Sequence, residues 1–547
     1  MKAQPPQQYR HMEAVRLVWL AIFVSVFSFL FYNRAGDVTL YGDAVAHINI
    51  ARRVFDSKTP GLLQLGTVWL PLQHLLILPF IISKRLWQTG AGGSIPSMAA
   101  YVFGVLGIFR LVRGALSRGS EADDQSKTLA WLAALLYAGN PNLIYMQSTA
   151  MGESLYLALA IWAVAFFVEF REGNSKALFW SGWCLFAAGL TRYDGWFLAF
   201  ALMGTAAVTA IWGQRAKAAR EIPGSPIFTF ILLALAAPAL WLAYNAAVYR
   251  NPLEFANGPY SAKAIEIKTG TVNPAQGNVI AGASYFLKAA ESNVASNNWL
   301  GRLWLALALI GSLSTLLESR ARLALLLWSP LPFYALSLAY GKVPIFVGQW
   351  WPFSLYNVRY GLQLLPAFAV FIPLGIVFLV RGLSRIQRIQ ALMQEWSLAA
   401  VLICTLLFGT ASYTFVWRSG PACFREASVN MRGRVVLEKQ LADWLKWLPP
   451  NATLLMYLGE HSGALEQAGV DLSQSINEGN HRVWKQPTDP AGLWERALAD
   501  PAAYADFAIG FEGDPVWKAA RDRNLKALLE IHTTGQPPAV IFQARAR

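Results

Sequence analysis

The sequence predicts a polytopic all-α membrane protein carrying a small soluble α/β domain at its C-terminal end, and three observations support this. Hydrophobic residues make up 55% of the 547 positions, mean hydropathy is +0.36 and charged residues are only 14%, a balance foreign to a water-soluble enzyme of this size. Apolar stretches recur through the first 420 positions at about 20 residues each, the length that one helical crossing of a bilayer needs. After about Cys423 the apolar runs shorten, charges rise and alternation replaces the long stretches.

Taken in order, about eleven spans are expected, at 15–33, 96–113, 128–148, 153–170, 177–191, 195–213, 226–248, 299–317, 323–341, 360–380 and 396–416. The first follows Lys2, Arg10 and Arg16 and has no small-residue cleavage pattern after it, so it reads as an uncleaved helix with a cytoplasmic N-terminus. A twelfth candidate, 68–82, is short and interrupted by Pro71, His74 and Pro79. The positive-inside rule decides against it. Without it, the short loops on one side hold Arg110, Arg113, Arg118 and Lys127, then Arg171 and Lys176, then Arg215, Lys217 and Arg220, then Arg320 and Arg322, then Arg381, Arg385 and Arg388. The opposite side carries a sparser set over longer loops. The segment 68–82 is therefore expected to be a juxtamembrane or re-entrant helix within one large external loop, 34–94.

The 22 Trp and 19 Tyr suit aromatic belts at the two membrane interfaces. Loops facing anionic lipid account for much of the net charge of +14, so no nucleic-acid partner is expected. Cys184 and Cys404 lie in apolar runs and Cys423 is expected outside, which leaves no exposed pair for a disulfide and no cysteine metal site.

This topology collects the polar features on the external face. The first loop carries Asp37, Asp43, His47, Asp56, Trp69 and His74; later ones carry the run Gln147 to Glu153, the run Thr191 to Gly195, a polar stretch from Tyr249 to Asn298, and Lys342 with the run Gln349 to Tyr360. A transporter would bury such groups near the midplane, in helices repeated between two halves. The sequence shows no such repeat.

Five motifs in this order resemble the membrane-embedded glycosyltransferases of the GT-C superfamily, and within it the bacterial relatives of the protein O-mannosyltransferases and of lipid A aminoarabinose transferase (family 39-like). They are Tyr41-Gly-Asp43-Ala44, Gly66-Thr-Val-Trp-Leu-Pro-Leu72, Asn140-Pro141 leading to Met151-Gly-Glu153, Leu190-Thr-Arg-Tyr-Asp-Gly195, and Arg359-Tyr-Gly-Leu-Gln-Leu-Leu-Pro366. The resemblance covers roughly the first 420 residues. It departs at one point: the mannosyltransferases place two adjacent acids in the first loop, whereas Asp43 is followed by Ala44. It implies a GT-C-like membrane domain that transfers a sugar from a polyprenyl-phosphate-linked donor to a glycan, lipid or protein acceptor on the external face.

That chemistry needs a base for the acceptor hydroxyl and fixed positive charge for the departing lipid phosphate. Asp43 is the candidate base. Arg359 and Lys342, with Arg192, are the candidate cations. His47 lies four residues on and shares a helical face with Asp43; Trp69 and His74 could line the sugar pocket; Glu153 could position the acceptor or, with Asp43, hold a divalent metal if one is used. Each has a plainer alternative. Asp43 could cap a helix starting at Ala44, and His47 could be a structural hydrogen-bonder. Glu153 could sit at a helix start because the dipole favours an acid, Arg192 and Asp194 could form a local pair, and Arg359 could snorkel beside Trp350, Trp351 and Tyr356. Asp56 and Lys58 are expected in a solvated turn. A solute transporter and a non-catalytic membrane scaffold are the alternatives from other classes.

The expected division is 1–420 and 421–547. In the tail, helices are expected near 433–448, 490–499 and 514–523, and strands near 453–458, 506–510, 525–531 and 539–543, punctuated by Pro449-Pro450 and Pro537-Pro538. Gly459-Glu460-His461-Ser462-Gly463 follows a strand, a position where open α/β sheets keep ligands. The tail reads as a lid or acceptor-recognition module.

Overall fold

The computed structural model describes residues 7–116, 122–213, 224–270, 272–316, 321–383, 390–459, 461–480 and 489–545. Lys2, Arg118, Arg215, Lys217, Arg220, Arg320, Arg385, Arg388 and Glu460 lie outside the described residues.

Every expected span is helical, but not all are equally long or apolar. Seven helices meet the length and hydropathy of a membrane crossing among the described residues: Met12–Ala35, Ala91–Leu116, Glu153–Arg171, Pro226–Tyr249, Ala321–Tyr340, Val358–Gly382 and Leu398–Leu445. Asp194–Val208 is a shorter apolar helix. The chain is an integral membrane protein, and seven of its described helices meet these criteria, against about eleven expected spans. The stretch 128–148 breaks at Gly139 because Pro141 starts a new helix, Pro141–Gln147, whose N-cap Asn140 accepts the Leu143 N–H at 2.9 Å.

The first helix turns Trp19, Phe23, Phe27 and Phe31, each at least 60% exposed, to one side. Their spacing of four makes a stripe suited to lipid. Elsewhere helices approach closely through small residues: a Cβ on Gly311 would run into the Phe371 carbonyl, and one on Gly375 into the Leu307 carbonyl. In the loop 34–94, the stretch 68–82 contains only the six-residue helix Leu72–Ile77 followed by turns, as Pro71 and Pro79 require.

The tail holds a five-stranded sheet made of β1 (Leu454–Met456), β2 (Ser475–Ile476), β3 (Phe507–Phe511), β4 (Lys526–Ile531) and β5 (Ala539–Gln543), in the order β2-β1-β3-β5-β4. The first three in that order are parallel, and β5 and β4 add antiparallel neighbours. β2 is two residues long, too short for any sequence period to reveal it.

Two expectations are corrected where the tail meets the membrane part. The helix expected from 433 begins at Ala422, one residue after Gly420 and Pro421 separate it from Gln390–Ser419. Its first turns pack inward, and Cys423 is fully buried there. Asp56 is buried and not in a solvated turn: it accepts Arg52 Nε at 2.8 Å and the backbone N–H groups of Leu472 and Ser473 at 3.2 and 2.9 Å. Burial opposes its ionisation, but these hydrogen bonds hold its carboxyl below the usual carboxylate range. A solvated turn was expected because the partners of Asp56 are some 416 residues away in sequence.

Candidate functional site

Gly36, in the left-handed region at φ 77°, ends the first helix and sends the chain through a short turn into the helix Gly42–Arg53. Asp43 lies inside the first turn of that helix. The N-cap is Tyr41 and no side chain caps it, so capping does not explain Asp43.

The motifs lock onto one another through backbone groups. The Leu72 N–H donates to the Leu190 carbonyl at 3.0 Å, and the Tyr193 hydroxyl donates to the Val68 carbonyl at 2.9 Å. Ser97 Oγ donates to the Met151 carbonyl and Gln73 Nε2 to the Ala150 carbonyl, fixing the turn that presents Glu153. Asn140 and Asn142 both donate to the Asn293 carbonyl, Asn293 donates to the Val358 carbonyl at 2.7 Å, and Cys423 N–H donates to Asn142 Oδ1. Val358 is thereby pinned from two sides. Gly361 lets this segment lie against another backbone, since a Cβ there would strike Ala289 and Ala290.

Arg359 stands at the centre. Its Nη2 donates to Asp43 Oδ2 at 2.5 Å, its Nη1 to Glu426 Oε1 at 3.1 Å, and its Nε lies 3.4 Å from Glu153 Oε1. The rings of Tyr41 and Tyr360 lie 5.1 and 5.2 Å from the guanidinium carbon. Glu426 also takes the Val358 N–H at 2.6 Å. Arg192 forms a second node: Nη1 to Glu153 at 3.2 Å, Nε to Asp194 at 3.3 Å and Nη2 to the Tyr334 hydroxyl at 2.8 Å. Both the local pairing and the bridge to the site therefore hold for Arg192. Snorkelling does not describe Arg359, which is buried among carboxylates. Exposure ranks the acids sharply: the side chains of Glu153 and Glu426 are 0% and 3% exposed, that of Asp43 is 36%.

Asp43 and Glu153, the pair considered for a divalent metal, both face the Arg359 guanidinium, which stands between them. Among the described residues, no group of three or more His, Cys, Asp or Glu could hold an ion. The residues present do not fit a metal at this point.

His47 and His74 meet at 2.8 Å between Nδ1 and Nε2, with the Trp69 ring 4.8 Å from His47. Burial, reinforced by Arg359 and Arg192, pushes His47 down to about 3; burial and His47 push His74 well below its ordinary value. Both are neutral when folded, and unfolding lets them charge below about pH 6.5. The unfolded chain thus binds more protons between about pH 3 and 6.5, and stability falls as pH drops through that window. Thermal unfolding in detergent is expected to show a loss of up to about 2 kcal/mol between pH 6.5 and 5 from His47. His47→Gln should flatten that part of the slope; an unchanged slope would contradict the assignment.

Of the candidate residues, Asp43, Glu153, Arg192 and Arg359 share one ion-pair network, and His47, Trp69 and His74 form an adjoining cluster. Lys342 pairs instead with Glu266 at 3.1 Å. Glu426, Tyr41, Tyr334 and Tyr360 were not anticipated. For Glu426 a signal existed: Ala422, Cys423, Glu426 and Ala427 form the buried stripe of their helix, and an acid on such a stripe requires a partner. A groove of about 590 Å³ is lined by Leu76, Phe80, Ile95, Phe103, Leu155 and Trp162 among others.

No protein-family model matches the sequence, and no curated protein matches it. Solved structures do. ArnT from Cupriavidus metallidurans bound to undecaprenyl phosphate superposes with a TM-score of 0.52 at 12% identity, covering 95% of this chain and 98% of that one. The apo state of the same protein gives a TM-score of 0.54 at 12% identity, with 97% and 98% covered. At this identity the likeness speaks to fold alone, and this chain shares the fold of ArnT.

Proposed function

We propose that this protein is a membrane glycosyltransferase that moves a sugar from a polyprenyl-phosphate-linked donor to an acceptor at the external face. The observation that carries the reading is the meeting of a partly exposed carboxylate, Asp43, with a buried arginine, Arg359, in a protein that also has an apolar groove of about 590 Å³. An acid to take a proton, a cation for a phosphate and an apolar channel for a lipid tail are what this transfer requires. The ArnT structure holds undecaprenyl phosphate, a lipid of the expected kind.

In this mechanism the acceptor hydroxyl attacks the anomeric carbon and passes its proton to Asp43. The bond from that carbon to the phosphate oxygen breaks, and the carrier leaves as a lipid phosphate bearing one more negative charge. Arg359, supported by Arg192, stabilises that charge. His47, Trp69 and His74 would wall the sugar. Lys342 has no part in it while paired with Glu266. The N-terminus is assigned to the cytoplasm, and residues 421–547 are assigned to the external side, as an acceptor-recognition unit.

The test compares surface glycolipids and glycans of cells carrying the native protein, Asp43→Asn, or a deletion. The expected result is one species lost in both altered strains. Identical profiles in all three would favour a scaffold, and gradient-driven uptake into vesicles would favour a transporter.

A further inference from the structure

Arg359 meets three carboxylates: Nη2 donates to Asp43, Nη1 to Glu426, and Nε lies 3.4 Å from Glu153. These partners are not equivalent. Glu153 and Glu426 are buried, Glu426 is further held by the Val358 N–H, and Glu153 is shared with Arg192. Moving either out would strand a charge away from water. Asp43 alone is open to solvent, with 36% of its side chain exposed, and it can rehydrate at little cost. The two tyrosine rings and the two buried acids keep the guanidinium in place whether or not Asp43 is there.

Resting on the function proposed above, we infer that Asp43 is a displaceable occupant of the phosphate site. The donor's phosphate takes the Nη2 edge of Arg359 from Asp43, and the freed carboxylate turns to the acceptor hydroxyl. Binding the donor and releasing the base are then one event. While Asp43 Oδ2 accepts from Arg359 Nη2, that oxygen is engaged and turned away from an acceptor hydroxyl. With the donor absent, the base is therefore held inactive. The site also rejects a neutral polyprenol, which has nothing with which to displace a carboxylate.

The competition has a signature that a fixed catalytic acid lacks: removing the competitor must tighten binding of the anion. The probe is undecaprenyl phosphate, titrated into the full-length protein in detergent, with undecaprenol and inorganic phosphate as controls for the tail and the free anion. Asp43→Asn is expected to bind undecaprenyl phosphate about fivefold to tenfold more tightly than the native protein. Arg359→Lys and Arg359→Gln are expected to bind it at least about tenfold more weakly. In the Arg359→Gln background, adding Asp43→Asn should have no effect. Unchanged or weaker binding by Asp43→Asn, with the arginine variants still weakened, would overturn the displacement while leaving the phosphate site intact. Native-like binding by both arginine variants would overturn the phosphate assignment of the function itself. Equal affinity for undecaprenol would likewise show that the tail alone is recognised.

Discussion

Asp43→Asn should leave a folded protein whose transfer rate falls about 10²- to 10⁴-fold, the usual contribution of a general base. Folding should survive because Asn presents an oxygen of the same reach to Arg359 Nη2, and Glu153 and Glu426 still balance the guanidinium. Turnover of a polyprenyl-phosphate-linked sugar in detergent, read beside a melting curve, separates the two effects. Asp43→Glu keeps the carboxylate and should recover part of the rate. Activity within a few fold of native in Asp43→Asn would remove Asp43 from the chemistry, whatever its effect on binding.

Glu426→Ala is expected to be the most damaging single change to stability in the site. It removes a buried carboxylate that satisfies both Arg359 Nη1 and the Val358 N–H. A broken buried ion pair costs about 3–5 kcal/mol, and an orphaned buried backbone donor adds about 1–3 kcal/mol. A half-exposed pair is worth about 0–1 kcal/mol, so the comparable loss at Asp43 is small. Glu426→Gln retains an acceptor for Val358 and should fall between the two. Thermal unfolding in detergent orders the three proteins; equal midpoints for Glu426→Ala and the native chain would show that the contact carries no net stabilisation.

Much of this site was legible because each motif announces its own backbone. Pro141 restarts a helix that Asn140 caps, Pro71 and Pro79 confine the helix in 68–82 to six residues, and the density of basic residues in the loops assigns the remaining segments to two expected sides. Acids and arginines in five separated loops then had to be neighbours if they shared one face, and Asp43, Glu153, Arg192 and Arg359 are. Lys342 failed because sidedness says nothing about distance within a face: Glu266, in the polar stretch before it, is its partner. Asp56 was placed in water because its backbone donors, Leu472 and Ser473, lie hundreds of residues away, where hydropathy windows carry no information. Glu426 escaped for a related reason. The change of composition near residue 420 suggested an independent tail, yet the first helix after that point spends its opening turns completing the membrane site and only then supports the sheet.

That arrangement also orders events in time. Tyr41 donates its hydroxyl to the carbonyl of Cys423, 382 residues later, and the third carboxylate on Arg359, Glu426, comes from the same helix. Only a chain translated past Glu426 can close its site: one that stops earlier has Asp43 and Glu153 for Arg359 but leaves the Val358 N–H without its carboxylate.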